Sequence, residues 1–464
     1  MLTLRLRHLP AAALILTTLA LAAPTSAQST LADLSDDQKD ALILDLQDQV
    51  LDLGGKYDQV LDLLQTMQTE MVGLRSGGAG APGDEFYIPR FPDQASAGMP
   101  EGYAGVYDKS FLKEGSDVYI GGYIDIEFTD PADDGGDKFF DQHRLVPFLY
   151  ADVSDRVKVS AEVEIEHGSE LEVEFAQIDY LFNDHFNARA GIQLLPVGKF
   201  NQVHDSPLQD LTARPLVNRY IIPTTLRDAG VGAWGDITDE VSYQVAVTNG
   251  FKGMDEDGNS VITDEKGLRS AAPQKEALGF DEFENINDDL AISGRAAWQP
   301  ELGIEIGVSG LFDTYDERGD NDMTIFALDT TLNGKAVDFL PDNLEILAEA
   351  AWADLETDEL ADAADIPNAM NGYYVQGNWH FSPDFVTGWV DDGWVDEGAH
   401  FTFVLRHGDV SIGSYDAQRT TVGMNFRPNQ SDTVFKMDYQ FNDESNGSGS
   451  NDDNAFLFSA ATYF

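Results

Sequence analysis

The side chains with the clearest chemical pattern are carboxylates that recur at every second position. Glu162, Glu164 and Glu166 alternate with Val163 and Ile165, and successive side chains of a strand point to opposite faces. Further acids with strand-like spacing are Glu172, Glu174, Asp125 and Glu127. A row of like charges along a narrow water-filled passage excludes ions of the same sign and concentrates counter-ions. The pattern favours the lining of a pore that prefers cations. The alternative, that these carboxylates are only the solvated face of a wide barrel, explains the pattern nearly as well.

Basic side chains gather in a second place, the long connection predicted over residues 196–228. The candidates there are Lys199, His204, Arg214, Arg219 and Arg227. Arginine keeps its proton and presents a planar fork of donors to carboxylate or phosphate. If this connection folds inward to form a constriction, its cations would face the carboxylates and create a transverse field. Alternatively, each arginine pairs with an acid and simply holds the connection in place.

A third group resembles the start of a calcium-binding loop. Asp255, Asp257 and Asn259 have the spacing of the first three oxygen ligands of such a loop. Ser260 replaces the expected glycine, and Lys266 stands where a bidentate glutamate belongs. The sequence therefore predicts either a weak Ca²⁺ site or an acidic solvated loop, and no other cofactor. It contains no recognisable nucleophile or paired-acid constellation, so we predict no catalytic residues.

Composition limits the classes of partner. The 464 residues include 28 Lys and Arg against 82 Asp and Glu, which gives a formal net charge of -54. Such acidity argues against a nucleic-acid partner, which would need a basic face. The acidity fits either pore chemistry or life in a salty habitat. The chain has no cysteine, so disulfides and thiolate metal sites are excluded.

The N-terminal region predicts an exported protein. Residues 1–27 place Arg5 and Arg7 before a short apolar run and a small-residue stretch, the order of a signal peptide. Residues 31–74 carry apolar side chains at alternating steps of three and four, which predicts a periplasmic coiled coil that mediates oligomerisation. A single amphipathic helix lying on the barrel is the alternative. Residues 75–115 are rich in Gly, Pro and Ser and are typical of a linker.

From residue 116 to 464 the apolar pattern changes to a period of two. We count about sixteen candidate strands of nearly the length that a tilted membrane-spanning strand needs. Short and long connections mostly alternate, except that Ser382–Gly398 is long where a short turn is expected. The final segment, Ala455–Phe464, reads AFLFSAATYF and requires an earlier strand as its partner. The fold class predicted is an all-β transmembrane antiparallel barrel, although a soluble sandwich shows similar alternation.

Several segments resemble the phosphate-selective porin O and P family of bacterial outer-membrane porins. They are Val197–Gly235, GYYVQGNWHF at 372–381, FVLRHGD at 403–409, VGMNF at 422–426 and KMDY at 436–439. The resemblance implies a trimeric sixteen-stranded barrel with an inward loop, and passive diffusion of small anions past a ladder of basic side chains. The small number of Lys and Arg in this chain departs from that ladder.

Together these features predict an outer-membrane porin through which small hydrophilic solutes or ions diffuse passively. The acidic wall favours cations, and the resemblance implies anions instead. An outer-membrane enzyme and an envelope-tethering or adhesion barrel are the competing classes. The expected partners are two further copies of the chain in a homotrimer, outer-membrane lipid and the diffusing solute.

Overall fold

The computed structural model describes residues 118–132, 137–429, 432–446, 449–451 and 453–464. The predicted signal peptide (1–27), coiled coil (31–74) and linker (75–115) lie outside the described residues and stay predictions.

The described residues form one antiparallel sheet of seventeen strands. The strands are β1 (Val118–Pro131), β2 (Phe139–Asp152), β3 (Val157–Glu166), β4 (Glu170–Asn183), β5 (Phe186–Leu194), β6 (Arg227–Thr238), β7 (Val241–Thr248), β8 (Ala291–Glu301), β9 (Ile304–Thr314), β10 (Asp322–Asn333), β11 (Leu344–Leu355), β12 (Ala369–Phe381), β13 (His400–Ile412), β14 (Tyr415–Arg427), β15 (Thr433–Asn446), β16 (Gly449–Asn451) and β17 (Ala455–Tyr463).

The sheet closes on itself. Strand β1 pairs with β2 on one side and with β17 on the other, with Tyr123 opposite Tyr463. The backbone N–H of Phe464 donates to the carbonyl of Gly122 at 2.9 Å, and Gly122 donates back at 3.1 Å. The three-residue β16 pairs with β15 alone, which leaves sixteen wall strands among the described residues. The predicted sixteen-stranded antiparallel barrel is confirmed.

The two faces of the wall differ in polarity. On β9, Ile306 and Phe312 are 46% and 62% exposed, whereas Glu305 and Ser309 are 6% and 3% exposed. The same alternation runs through β10 and β12. Apolar side chains therefore cover the outside and polar ones face the lumen, as in a membrane barrel. A soluble sandwich would have the opposite arrangement.

Three short helices interrupt the connections of the described chain: α1 (Val217–Tyr220), α2 (Glu359–Ala363) and α3 (Asp384–Asp391). Helix α3 fills the long connection after β12, and Pro383 precedes its first turn. Its Trp389 ring packs edge-on against Phe426 on β14. The connection is therefore long because it holds a helix, and no strand was overlooked there. No helix among the described residues has the length and apolarity needed to cross a bilayer.

An apolar core lies inside the barrel, and the sequence reasoning did not predict it. It joins Val217 and Ile221 of the 195–226 connection with Ile262 and Leu268 of the 249–290 connection. Wall residues such as Ile325 complete it. The two long connections therefore pack together against the inner wall, because burying these side chains removes apolar surface from water.

Candidate functional site

The connection between β5 and β6, residues 195–226, crosses the lumen, and we call it the inward loop. Its main anchor is Glu349 on β11. One carboxylate oxygen of Glu349 accepts the backbone N–H groups of Lys199 and Phe200 at 2.7 and 3.0 Å. The other accepts the side-chain amide of Asn218 at 2.6 Å. Because one acid holds both the start of the loop and Asn218 of α1, the loop is fixed to this part of the wall.

A second group of contacts holds residues 206–210 of the inward loop to β12, β14 and β15. Asp210 accepts the side-chain amides of Asn378 on β12 and Asn425 on β14, at 2.7 and 3.2 Å. Its carboxylate also lies 3.3 Å from the guanidinium of Arg427. The ammonium of Lys436 on β15 donates to the carbonyl of Ser206 at 2.8 Å. These contacts therefore fix the loop along the stretch of wall from β12 to β15.

Three of the five predicted constriction residues contact carboxylates of the wall strands. Lys199 lies 2.9 Å from Glu305. His204 contacts Glu174 through its Nε2 atom. Arg227 is the first residue of β6 rather than part of the loop, and its guanidinium lies 2.5 Å from Glu172. These are the pairing contacts that the sequence left open as the alternative.

Arg214 and Arg219 behave differently, because neither has an ion-pair partner within 4.0 Å among the described residues. Arg219 is exposed and lies over the ring of Tyr220 at 5.4 Å. Arg214 donates to the carbonyl of Thr224. Its Nε and Nη2 atoms are shielded from solvent and have no acceptor among the described residues. Burial and the nearby Arg144 guanidinium lower the pKa of Arg214 to about 10, so it stays cationic at neutral pH.

The predicted pore-lining carboxylates lie on the inner face. Most of them lie beside a cation or accept a hydrogen bond from a hydroxyl group. Asp125, Glu162, Glu164 and Glu174 are buried, and Glu127, Glu166 and Glu172 are half-buried. Arg144 on β2 lies 2.7 Å from Glu164 and 3.2 Å from Glu166. Glu162 accepts the Tyr150 hydroxyl at 2.5 Å, and Asp125 accepts the Ser459 hydroxyl at 2.6 Å. The wall is acidic as expected, but much of its charge is neutralised locally.

Some of the wall carboxylates and several cations line a cavity of about 330 Å³ between the wall and the inward loop. Four glutamates line it, namely Glu127, Glu164, Glu166 and Glu172. Eight Lys and Arg side chains line it as well: Arg144, Arg214, Arg219, Arg227, Arg269, Lys275, Arg419 and Lys436. Its formal charge is therefore positive, although the chain as a whole carries -54.

Sequence reasoning missed five of those cations: Arg144, Arg269, Lys275, Arg419 and Lys436. Of the three on strands, only Lys436 offered a signal, because it alone has an apolar neighbour on each side. It lies between the exposed Phe435 and Met437. Arg269 and Lys275 belong to the 249–290 connection, and nothing in their spacing indicates that they approach the inward loop.

The calcium-like segment uses its oxygens internally. The carboxylate of Asp255 accepts the backbone N–H groups of Asp257 and Asn259 at 3.1 and 2.8 Å. Its second oxygen accepts the Asn259 amide at 2.6 Å. Although slight desolvation opposes the effect, these hydrogen bonds lower the pKa of Asp255. The segment is an ordered acidic turn, and Ca²⁺ binding there stays a prediction.

Comparisons with known proteins give one sequence relative and a set of structural neighbours. No protein-family profile matches the chain. An uncharacterized protein of Aquifex aeolicus (strain VF5) is 29% identical over 307 residues, which cover 63% of this chain and 66% of that protein. The match thus spans slightly less than two thirds of the relative.

Solved structures that align with the chain include several outer-membrane proteins. An anion-selective porin from Comamonas acidovorans aligns with a TM-score of 0.49 at 12% identity, covering 75% of this chain and 99% of that one. The outer membrane channel DcaP of Acinetobacter baumannii aligns with a TM-score of 0.45 at 13% identity, covering 76% and 99%. The trimer form of the outer membrane protein OmpT of Vibrio cholerae aligns with a TM-score of 0.46 at 10% identity, covering 75% and 99%.

Proposed function

We propose that this protein is a bacterial outer-membrane porin through which small hydrophilic solutes diffuse passively. The observation that carries the proposal is a closed barrel with an apolar outer face, a polar inner face and a loop anchored across the lumen. An apolar band facing lipid and a polar lumen are the features that let a barrel hold water inside a membrane. The inward loop then limits the size of solute that passes.

We further propose that the channel prefers small anions, the alternative that the sequence left open, over cations. Eight Lys and Arg side chains and four glutamates line the cavity. Glu164 and Glu166 share Arg144, while Glu172 lies within 2.9 Å of both Arg227 and Lys275. Arg214 keeps two donors without an acceptor among the described residues. In a narrow passage such an excess of fixed positive charge attracts anions and excludes cations. This preference accords with the resemblance to the phosphate-selective porin O and P family, and membership of that family is part of the proposal.

Planar-bilayer recording of the purified protein tests both parts. We expect stepwise channels, and in a KCl gradient a reversal potential of the sign that indicates chloride permeation. Arg214→Gln should move that potential toward zero. Arg156→Gln is the matched control, since Arg156 loses the same charge, lies outside the cavity lining and donates to the Leu181 carbonyl near a turn. Absence of channels would refute the porin, whereas channels with a cation preference would refute only the selectivity.

We also propose that the protein assembles as a homotrimer through the predicted coiled coil of residues 31–74. Deleting those residues should weaken the oligomer without preventing insertion of the barrel. Light scattering of detergent-solubilised protein, with and without the segment, measures the change. Loss of the folded barrel on deletion would give this segment a different role.

A further inference from the structure

Two histidines and several carboxylates converge where the start of β2 lies beside the turn between β3 and β4. The Nδ1 atom of His167 lies 2.6 Å from the Oδ2 atom of Asp141, and the Nδ1 atom of His143 lies 3.7 Å from the same oxygen. The two imidazole rings lie 5.7 Å apart. The potential ligand atoms of Asp141, His143 and His167 all lie within 4.8 Å of one another.

Local structure brings these three side chains together. The β1–β2 ladder has a bulge, with Asp125 opposite Arg144 and Glu127 opposite Asp141. A bulge puts an extra residue on one strand and re-aims the side chains around it. His143 lies within this irregular step, which explains how it lines the cavity together with its neighbour Arg144.

His167 reaches the cluster from a tight turn. Residues 166–169 join β3 to β4, and the Ser169 N–H donates to the Glu166 carbonyl at 3.0 Å. His167 and Gly168 have φ values of 50° and 70°, so both lie in the left-handed region that a type I′ turn requires. Asn, Asp or Gly satisfies such a turn best. The turn itself therefore does not need an imidazole at position 167.

From this geometry we propose that Asp141, His143 and His167 bind a divalent transition-metal ion of the Zn²⁺ class at the lining of the channel. Imidazole nitrogen together with carboxylate oxygen is a donor set that such ions prefer. Tetrahedral Zn²⁺ places its ligand atoms roughly 3.3 Å apart, between the two separations observed here. Small side-chain rotations are therefore enough to form the site.

Further carboxylates surround the three ligands. Glu166 and Glu170 also lie within 4.8 Å of His167, and Glu127 lies 3.8 Å from His143. Arg144, the residue after His143, is held by Glu164 and Glu166. One of the outer acids is placed to supply a fourth ligand, and together they offset the charge of the ion. The cluster is thus a region of negative charge beside a cavity whose total charge is positive.

Isothermal titration of Zn²⁺ into the detergent-solubilised full chain, prepared without a polyhistidine tag, tests the site directly. We expect one ion per chain, with binding weakened at least about tenfold in His167→Asn and further in His143→Thr combined with His167→Asn. Asparagine suits the turn, so the first variant keeps the barrel folded. His185→Asn is the matched control, because His185 is an exposed turn histidine beside Asp184 and Asp236, and it should not change affinity.

Two results would overturn the metal site. One is Zn²⁺ affinity unchanged in both variants; the other is equal affinity for Ca²⁺ and Zn²⁺, which would indicate an unspecific acidic surface. If the proposed porin function also holds, Zn²⁺ should alter single-channel current in the native protein and not in the double variant. Binding without any effect on current would leave the metal site standing and place the ion outside the conduction path.

Discussion

The two groups of charged residues around the cavity differ in how they are compensated. Glutamates of β3 and β4 have cations beside them: Arg144 lies between Glu164 and Glu166, and Arg227 pairs with Glu172. Arg214 and Arg219 of the inward loop have no such acids within 4.0 Å among the described residues. Because paired charges largely cancel, we expect Arg214 and Arg219 to contribute strongly to the field that an ion would meet in the proposed pore. The total charge of a chain is therefore a poor guide to the selectivity of its pore.

The largest effect is expected from releasing the loop from the wall. Glu349→Ala leaves three donors of Lys199, Phe200 and Asn218 without their acceptor, at about 1–3 kcal/mol for a buried donor. The loop should then leave its place roughly ten to a hundred times more often. Single-channel recording should show higher conductance and a reversal potential near zero.

Glu359→Ala is the matched control for that experiment, since the Glu359 side chain on α2 is exposed and carries the same charge. Its conductance should equal that of the native protein. A Glu349→Ala channel with native conductance and native selectivity would show that other contacts, such as those of Asp210, hold the loop alone.

The second prediction concerns the acidic wall. Replacing Glu164 and Glu166 with Gln removes the two acids that hold Arg144 and should increase the preference for anions. In water, one unit charge changes the energy of an ion about 4 Å away by about 1 kcal/mol. Such a change in energy corresponds to about a fivefold change in permeability. The reversal potential in a KCl gradient measures this change. A shift toward cations would mean that Arg144 turns away from the pore once released.

The sequence predicts contacts between residues of one strand, but it does not predict contacts between residues of different strands. Alternation in β3 gave the inward row of Glu162, Glu164 and Glu166, because strand geometry relates neighbours directly. The pairing of Glu164 with Arg144 joins different strands, and the bulge at Asp125–Glu127 changes the phase locally. Sequence periodicity contains neither fact. The partners were therefore missed even though the barrel and its inner face were found.

The inward loop shows the same limit more strongly. Its clustered cations were visible in the sequence, but its wall contacts Glu349 and Lys436 lie more than a hundred residues away in the chain. The apolar run that includes Val217, Ile221 and Ile222 was a signal that the loop packs against something. A connection bound for open solvent would not bury such residues. That run could have predicted an inward path without identifying the partner.

The third prediction uses salt to separate exposed charge from paired charge. Raising KCl from 0.1 M to 1 M shortens the Debye length from about 10 Å to about 3 Å. Anion preference that arises from Arg214 and Arg219 should then decline, and the native permeability ratio should approach one. The Arg214→Gln channel should show a weaker dependence on salt. Equal dependence in both channels would assign the field to other residues.

The smallest change in selectivity is expected from Arg227→Lys, which keeps the charge and removes the guanidinium fork. Arg227 donates through Nε to the Val173 carbonyl at 2.8 Å and through Nη2 to Glu172 at 2.5 Å. Lysine cannot make both contacts from one point charge. We expect a loss of about 1–3 kcal/mol in stability, measured by thermal unfolding in detergent, and a nearly native reversal potential.

Arg189→Lys provides the control for that last variant, because Arg189 makes a comparable forked contact with Asp179 and does not line the cavity. Both variants should lose stability, and neither should alter selectivity. If Arg227→Lys alone shifted the reversal potential while the charge was kept, the position of the charge would matter as much as its sign. Neutralisation of Glu172 on β4 would then depend on the planar geometry of the Arg227 guanidinium. The difference between wall and loop would in that case involve the position of each charge as well as its sign.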